Sequence, residues 1–245
     1  MRLEQGKKMV IESIRTPLFR EGDDLIRFVT KHIRTVSEGD AIAITSKIVS
    51  LSEGQTASIR SFETKTALIK SESAWALKTK YAWLTLKDGM FAVAAGIDES
   101  NAHGRLILLP KDSFASARKI RTALMRFYGV KKLGILITDS RTLPLRAGAV
   151  GLAVGYAGFR GIRDYRGKRD LSGRMMKFTQ ANIADSLAAS AVLAMGEGAE
   201  STPIARIRGA SLTFVSHVSK GEVRIPLVKD LYAPLFRSVI KRTPN

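Results

Sequence analysis

Two short runs without a polar side chain, Ala41-Ile42-Ala43-Ile44 and Leu133-Gly134-Ile135-Leu136-Ile137, constrain this chain more than any other feature. A run this short and apolar, bounded by turn and polar residues, reads as a buried strand. The first follows the turn Glu38-Gly39-Asp40 and ends in Thr45-Ser46-Lys47; the second stops at Thr138-Asp139-Ser140. Each therefore delivers hydroxyls and one charged group to the carboxyl end of a strand, a position that often touches ligand. An amphipathic helix is expected before each. Residues 22–36 place Leu25, Ile26, Val29, Ile33 and Val36 at helical spacing, with Asp23 and Asp24 at the start and Lys31 and Arg34 near the end. Ser113 is the expected cap of a helix carrying Ala117, Ile120, Leu124 and Phe127 on its buried face. A third helix is expected over 179–195, starting at Thr179 and ending before Gly196, with Ile183, Leu187 and Ala191 on one face and many small residues for close packing. The tail reads as a strand over Leu212 to Val215, a turn at Lys220-Gly221, and a short basic helix near Leu231 to Lys241.

At 245 residues the chain makes one large domain or two small ones, and no internal repeat divides it. Hydrophobic residues at 45%, charged residues at 25% and a mean hydropathy near zero describe a water-soluble folded protein. The longest stretch without a charge, Ala147 to Phe159, has 13 residues including four glycines, short of the roughly 18 that span a bilayer. Glu12 and Arg15 interrupt the only candidate for a signal peptide, so no membrane crossing is expected and a cytoplasmic location fits best. With no cysteine, a disulfide framework, a thiolate zinc site, an iron–sulfur cluster and a cysteine nucleophile are all excluded. Lys and Arg number 40 against 22 Asp and Glu, a net charge of +18, and such a field attracts polyanions of every kind.

Few motifs settle which kind. His32, His103 and His217 are never in a two-histidine zinc spacing and read as structural or exposed. The nearest approach to a phosphate-binding loop, Gly161 to Arg169, has the wrong spacing and the wrong last residue. The glycines at 148, 151, 155, 158 and 161 do not form a dinucleotide fingerprint; they mark either close backbone contacts or a phosphate-binding role. Residues 141–177 hold nine Lys and Arg (Arg141, Arg146, Arg160, Arg163, Arg166, Lys168, Arg169, Arg174, Lys177) against Asp164 and Asp170. Arginines alternating with glycines suit phosphate or carboxylate recognition, or else form a solvated basic face or an RNA-binding stripe. Acids are scarcer, and three are flanked by glycine and hydroxyl residues: Asp98, Asp139 and Glu197. Scattered carboxylates of this kind suit Mg²⁺, which takes one or two of them with phosphates and water; alternatively each is a helix cap or a surface acid.

In this order the segments resemble the coenzyme F420-0:L-glutamate ligase family, whose members add glutamate through its amine to a carboxylate of a deazaflavin coenzyme. Asp40 to Ser50 (DAIAITSKIVS), AGIDESN around Asp98, LLPKDSFASARKIR over 108–121, ITDS, DYRGKRDLSGR over 164–174, and MGEG followed by TPIARIRG carry the resemblance, which covers about residues 10–210. It implies a mixed α+β fold of alternating strands and helices in an intertwined homodimer, with 1–210 as the catalytic region, in one piece or two subdomains, and 211–245 as a C-terminal extension longer than the family usually carries. It also implies GTP as cosubstrate and two Mg²⁺ or Mn²⁺ sites, the first held by Asp98 and Asp139, the second by Ser140, where the family often has Thr, and Glu197. Nucleotide contacts would come from Thr16, Pro17, Leu18 and Phe19, from Ser46, Lys47 and Asn101, and from the loop holding Met195, Gly196, Gly198 and Thr202. Arg146, Asp164, Arg166 and Arg169 are the candidates for substrate and phosphate.

The chain also departs from the family. Where the family motif reads T-D-T-F-G-R-P-W-R, this sequence has Thr138-Asp139-Ser140-Arg141-Thr142-Leu143-Pro144-Leu145-Arg146; an acid common at Gly151 and a lysine common at Leu51 are replaced. The expectation is a metal- and GTP-dependent ligase that adds glutamate, or a similar amino acid, to a carboxylate of a deazaflavin-type or other phosphorylated anionic acceptor through an acyl phosphate. Without histidine or cysteine such chemistry still works, because metals and Arg/Lys clamps offset the phosphoryl charge. The alternative is a non-catalytic basic protein binding RNA or another polyanion on a ligase scaffold. Three carboxylates facing phosphate would have no use in such a binder.

Overall fold

A computed structural model describes residues 8–58, 61–99 and 104–236, without the side chain of Phe62. In chain order the elements are β1 (Val10–Ile14), α1 (Leu25–His32), β2 (Asp40–Thr45), α2 (Ser46–Ser52), β3 (Thr56–Ser58), α3 (Phe62–Ser71), β4 (Trp75–Lys78), β5 (Trp83–Lys87), β6 (Met90–Val93), β7 (Arg105–Ile107), α4 (Ser113–Tyr128), β8 (Leu133–Thr142), β9 (Ala149–Ala157), β10 (Ile162–Asp164), β11 (Gln180–Asn182), α5 (Ile183–Met195) and β12 (Ile204–Arg208). The fold is α+β. Its main sheet has the order β1-β12-β2-β8-β9, and β3-β7, β4-β5-β6 and β10-β11 form three smaller sheets. Among the described residues no helix is long and apolar enough to cross a membrane.

Both apolar runs lie in the middle of the main sheet because they are covered on both faces. Ile42, Ile44, Ile135 and Ile137 pack with Val29 of α1 and with Ala117, Ile120 and Leu124 of α4. The alternate residues Ala41, Ala43 and Leu136 pack with Leu187, Ala188 and Ala191 of α5. Period-two alternation sends each set to its own side, and the absence of a wet face explains the absence of polar residues. β2 and β8 run parallel, Asp40 opposite Leu133 through Thr45 opposite Thr138. Their other neighbours, β12 and β9, run antiparallel to them.

Several boundaries differ from the sequence expectation, each for a local reason. The helix expected over 22–36 ends at His32: Asp24 caps it by accepting from Arg27 N–H at 3.0 Å, and Ile33 is extended and buried, its carbonyl accepting from the Tyr128 hydroxyl. Asp112, not Ser113, caps α4 by accepting from Ala115 N–H at 3.0 Å. Phe127 stands 62% exposed at the rim of that helix and meets Tyr128 edge-on, because the 3.6-residue period brings Tyr128 back onto the buried face. The 179–195 segment starts as β11, with Asn182 capping α5. Thr45 closes β2 and Ser46 opens α2 directly, so the hydroxyl and the ammonium leave the strand on the first turn of a helix. β8 does not stop at Ser140 but continues to Thr142 against β9, after a register shift that leaves Val154 as an extra residue.

The glycines of β9 act in packing. A Cβ on Gly155 would lie 2.5 Å from the Ser113 carbonyl carbon, and one on Gly151 would collide with Val192 and the Ala188 carbonyl of α5. Gly161 likewise lies under the Tyr156 ring, whereas Gly148 faces open space. In the tail, the expected strand over 212–215 is reduced to one bridge between Phe214 and Phe159. Glu222 anchors the segment instead, accepting from Tyr156 OH at 2.7 Å and Gly161 N–H at 2.9 Å. Of the expected terminal helix only a short 3-10 turn over Ala233–Phe236 lies within the described residues.

Two predictions follow from this packing. Gly155→Val should destabilise by about 1–3 kcal/mol, since backbone on the facing helix cannot give way, read as a lowered midpoint of thermal unfolding. Burial pushes the Tyr128 hydroxyl from 10.0 up to about 12. The folded state thus holds this proton where the unfolded chain has lost it, and stability contributed by Tyr128 falls as pH rises from about 10 to 12. In Tyr128→Phe that part of the alkaline decline should disappear in denaturant titrations.

Candidate functional site

One edge of the main sheet gathers four segments that are far apart in the chain. Because β2 and β8 are parallel and in register, Ser46 and Lys47 arrive beside Asp139 and Ser140. β1 and β12 are antiparallel with Ile14 opposite Ile204, so residues after β1 meet those before β12 at the same edge. Thr16 N–H donates to the Ser201 carbonyl at 2.9 Å, and Thr45 N–H to the Pro203 carbonyl at 2.9 Å. Phe19 is buried and meets Phe28 edge-on at 4.9 Å, which anchors the 16–19 segment to α1. The result is a cavity of about 460 Å³.

A fifth segment closes one side. After β6 the backbone enters the left-handed region at Ala94, Ala95 and Gly96 (φ 49°, 58° and 71°). Such angles are strained for alanine and persist only where the surroundings enforce them. The enforcing group is the buried Thr85, whose Oγ1 donates to the Ala92 carbonyl at 2.8 Å and accepts from Ala95 N–H at 2.9 Å. Asp98 follows, tied by two backbone hydrogen bonds of 2.9 and 2.8 Å to Ile107, with its carboxylate 2.7 Å from Lys47 Nζ.

Asp139 is the most constrained acid. Ser46 Oγ donates to its Oδ1 at 3.2 Å, and the guanidinium of Arg141 stands 3.1 Å from its Oδ2. Burial pushes the Asp139 carboxyl above the usual carboxylate range; Arg141 and the Ser46 hydrogen bond pull it back, while the charge of Asp98 raises it again. Ser140 Oγ donates to both oxygens of Glu197, at 2.7 and 2.8 Å. Glu197 sits just past α5, in a loop closed by Thr202 Oγ1 donating to the Met195 carbonyl and by Glu200 accepting from Gly198 N–H at 2.8 Å.

The cavity wall thus includes Thr16, Pro17, Leu18, Phe19, Lys47, Asp98, Asp139, Ser140, Met195, Gly196, Glu197, Gly198 and Thr202, all expected from the sequence. Ser46 lies behind the wall and acts through Asp139. Asn101 and His103 lie outside the described residues. Arg146, Asp164, Arg166 and Arg169 do not reach the cavity within one chain. Arg166 Nε donates to Asp164 at 2.9 Å and holds that carboxyl down at about 2, and Arg169 Nη1 donates to the Gly173 carbonyl at 2.7 Å. These arginines fold the 162–180 excursion on itself, so their local partners answer the charge that the sequence leaves unassigned. Two charged residues of the wall were not singled out as site residues from the sequence, Glu200 and Arg141. Arg141 counted only as one cation among nine, and burial is what distinguishes it.

Charge and donor chemistry test whether a divalent cation fits. Among the described residues no group of three or more His, Cys, Asp or Glu side chains converges as a ready-made metal cage. The charged lining is Asp98, Asp139, Glu197 and Glu200 against Lys47 and Arg141, a local charge of −2 in a chain of +18. Hard oxygen donors in ones and twos, completed by phosphate and water, are what Mg²⁺ takes. A cation beside Asp139 would also relieve its burial and its repulsion by Asp98, so the residues present fit such an ion.

Comparison with known proteins gives the family of the chain. The F420-0:Gamma-glutamyl ligase family matches residues 13–209. The coenzyme F420:L-glutamate ligase of Archaeoglobus fulgidus is 32% identical over 214 residues, covering 80% of this chain and 85% of the relative. That of Methanopyrus kandleri is 35% identical over 209 residues (78% and 82%), and that of Methanocaldococcus jannaschii 30% over 256 residues (94% and 99%). The matched span runs from the last two residues of β1 through β12, taking in every strand and helix between them and every described segment of the cavity wall. The chain belongs to the F420-0:Gamma-glutamyl ligase family.

Proposed function

We propose that this protein is a glutamate-adding ligase that uses GTP and Mg²⁺ or Mn²⁺ to join the amine of glutamate to a carboxylate of a deazaflavin-type or other anionic phosphorylated acceptor. Family membership supports the glutamate-adding chemistry, which its relatives carry in their names. The observation that carries the rest is the convergence of Asp98, Asp139, Ser140 and Glu197 on one cavity of negative local charge in a strongly basic chain.

In this reading an acceptor carboxylate oxygen attacks the γ-phosphorus as the bond to the leaving oxygen breaks, releasing GDP and forming an acyl phosphate. The amine of glutamate then attacks the acyl carbon, phosphate departs, and the amine gives up its proton as the amide forms. Divalent cations, held through Asp98 and Asp139 and through Ser140 and Glu197, would neutralise charge on the phosphoryl oxygens. Lys47 adds a charge on a flexible stem at the open side, where it can turn from Asp98 toward phosphate. The loop from Met195 to Thr202 and the segment from Thr16 to Phe19 enclose the nucleotide and limit the water that would hydrolyse an acyl phosphate. Homodimer assembly belongs to the same proposal and is read by light scattering.

Incubating the protein with Mn²⁺, GTP, glutamate and a cell extract should yield a product heavier by one glutamyl residue. Losing even a supporting partner of a ligating carboxylate lowers metal affinity by about 10–100-fold. Asp139→Ala should therefore abolish most of the Mn²⁺ dependence of GTP binding in calorimetry, and equal GTP affinity with and without chelator would refute the assignment. Arg166→Ala should leave GTP affinity within about twofold, because its hydrogen bonds go to Asp164 outside the cavity. An RNA complex that survives physiological salt, with no GTP binding, would replace the ligase by the polyanion binder.

A further inference from the structure

Among the described residues of the cavity wall, Arg141 is a cation to which the ligase reading gives no role. It is 4% exposed and shares a strand face with Asp139, two residues earlier. Its approach to Asp139 Oδ2 at 3.1 Å lies outside hydrogen-bond geometry, and both Nε and Nη2 are buried without a hydrogen-bond partner. Nη1 rests against Gly96, where an added Cβ would come within 3.2 Å of it. Packing therefore holds this cation in position, whereas the Lys47 side chain is 32% exposed. Arginine does not lose its proton in proteins, so the charge is permanent. In the motif compared above, this strand position carries a neutral phenylalanine.

We propose that Arg141 is a fixed cation that enforces ordered loading of the site: it neutralises Asp139 in the nucleotide-free protein and repels a free divalent ion, so that metal enters Asp139 only together with a polyphosphate. A third party of opposite charge is what reconciles two cations at one carboxylate, and the phosphates of a nucleotide supply it. This inference rests on the metal-dependent ligase reading and deepens it. Its consequence is a metal affinity that depends on nucleotide much more steeply than two carboxylates alone would give.

The test is Mn²⁺ retained by the protein on ultrafiltration, measured with and without GTP, for the native chain, Arg141→Met, Arg141→Gln and Arg141→Lys. The native chain should hold Mn²⁺ weakly alone and at least about tenfold more tightly with GTP, the scale a single charge a few ångströms away can impose. Arg141→Met and Arg141→Gln should bind Mn²⁺ without nucleotide at least about tenfold more tightly than the native chain, and Arg141→Lys should behave as native. Neutral variants that gain nothing, or a lysine variant that gains as much as methionine, overturn the proposal. So does a native chain that holds Mn²⁺ equally well with and without GTP, a result that needs no variant. GTP binding with no Mn²⁺ retained under any condition defeats the metal reading itself, and this inference with it.

Discussion

The parallel, in-register pairing of β2 with β8 is the constraint on which the other parts depend. With Thr45 opposite Thr138, the hydroxyl and ammonium that follow one strand stand beside the carboxylate and hydroxyl of the other. A slip of one residue would turn the isoleucine set toward α5 and rotate Asp139 away from Ser46, so the core enforces the site's register. The antiparallel neighbours complete the edge. β12 begins where β2 ends, and β1 ends where β12 begins, which carries the loop after α5 and the segment after β1 to the same place without any long connection.

Around that edge the protein keeps three unfavourable features together. Ala94 and Ala95 are held in left-handed conformations, Asp139 is ionisable but withdrawn from water, and Arg141 is buried with donors unmet. Each would relax if it lay alone on a loop. They are over-determined here by Thr85, which pins the strained turn with two hydrogen bonds, and by the strand pairing of β8 with β9 on either side of Asp139. Left-handed residues also occur at Asp88 and Leu145, and a buried ion pair joins Asp40 to Arg206 at the far end of β2; around the cavity strained backbone and buried charge occur side by side.

Electrostatics is divided in the same way. Arginines of the basic stretch outside the cavity have local carboxylate or carbonyl partners, as in the Asp164–Arg166 pair and the Arg169–Gly173 hydrogen bond, while the cavity itself is locally negative. A basic envelope around an acidic pocket draws anions in at long range and leaves room for a cation at short range. The glycines of β9 contribute by absence: with no side chain at 151 and 155, α5 and the start of α4 press directly on the sheet, and the loop after α5 is brought down onto the cavity.

Local physics makes some of this legible in the sequence. The two apolar runs, helices α1, α4 and α5 and the polar residues at strand ends depend on periodicity and burial within a dozen residues, and Asp98, Asp139, Ser140, Glu197 and Lys47 were visible as acids, hydroxyls and a lysine set among glycines and strand ends. Boundaries were less legible, because competing caps such as Asp112 and Ser113 differ by fractions of a hydrogen bond until the tertiary environment chooses one. Arg141 and Arg166 are indistinguishable as letters in a basic stretch. Only the fold separates them, since burial beside Asp139 and exposure beside Asp164 are set by strands and turns distant in the chain. What the sequence by itself determined is which residues can be buried and which can bear charge. Which carboxylates share a cavity, and which cation is locked among them, the tertiary structure alone decided, because strand order and register are non-local.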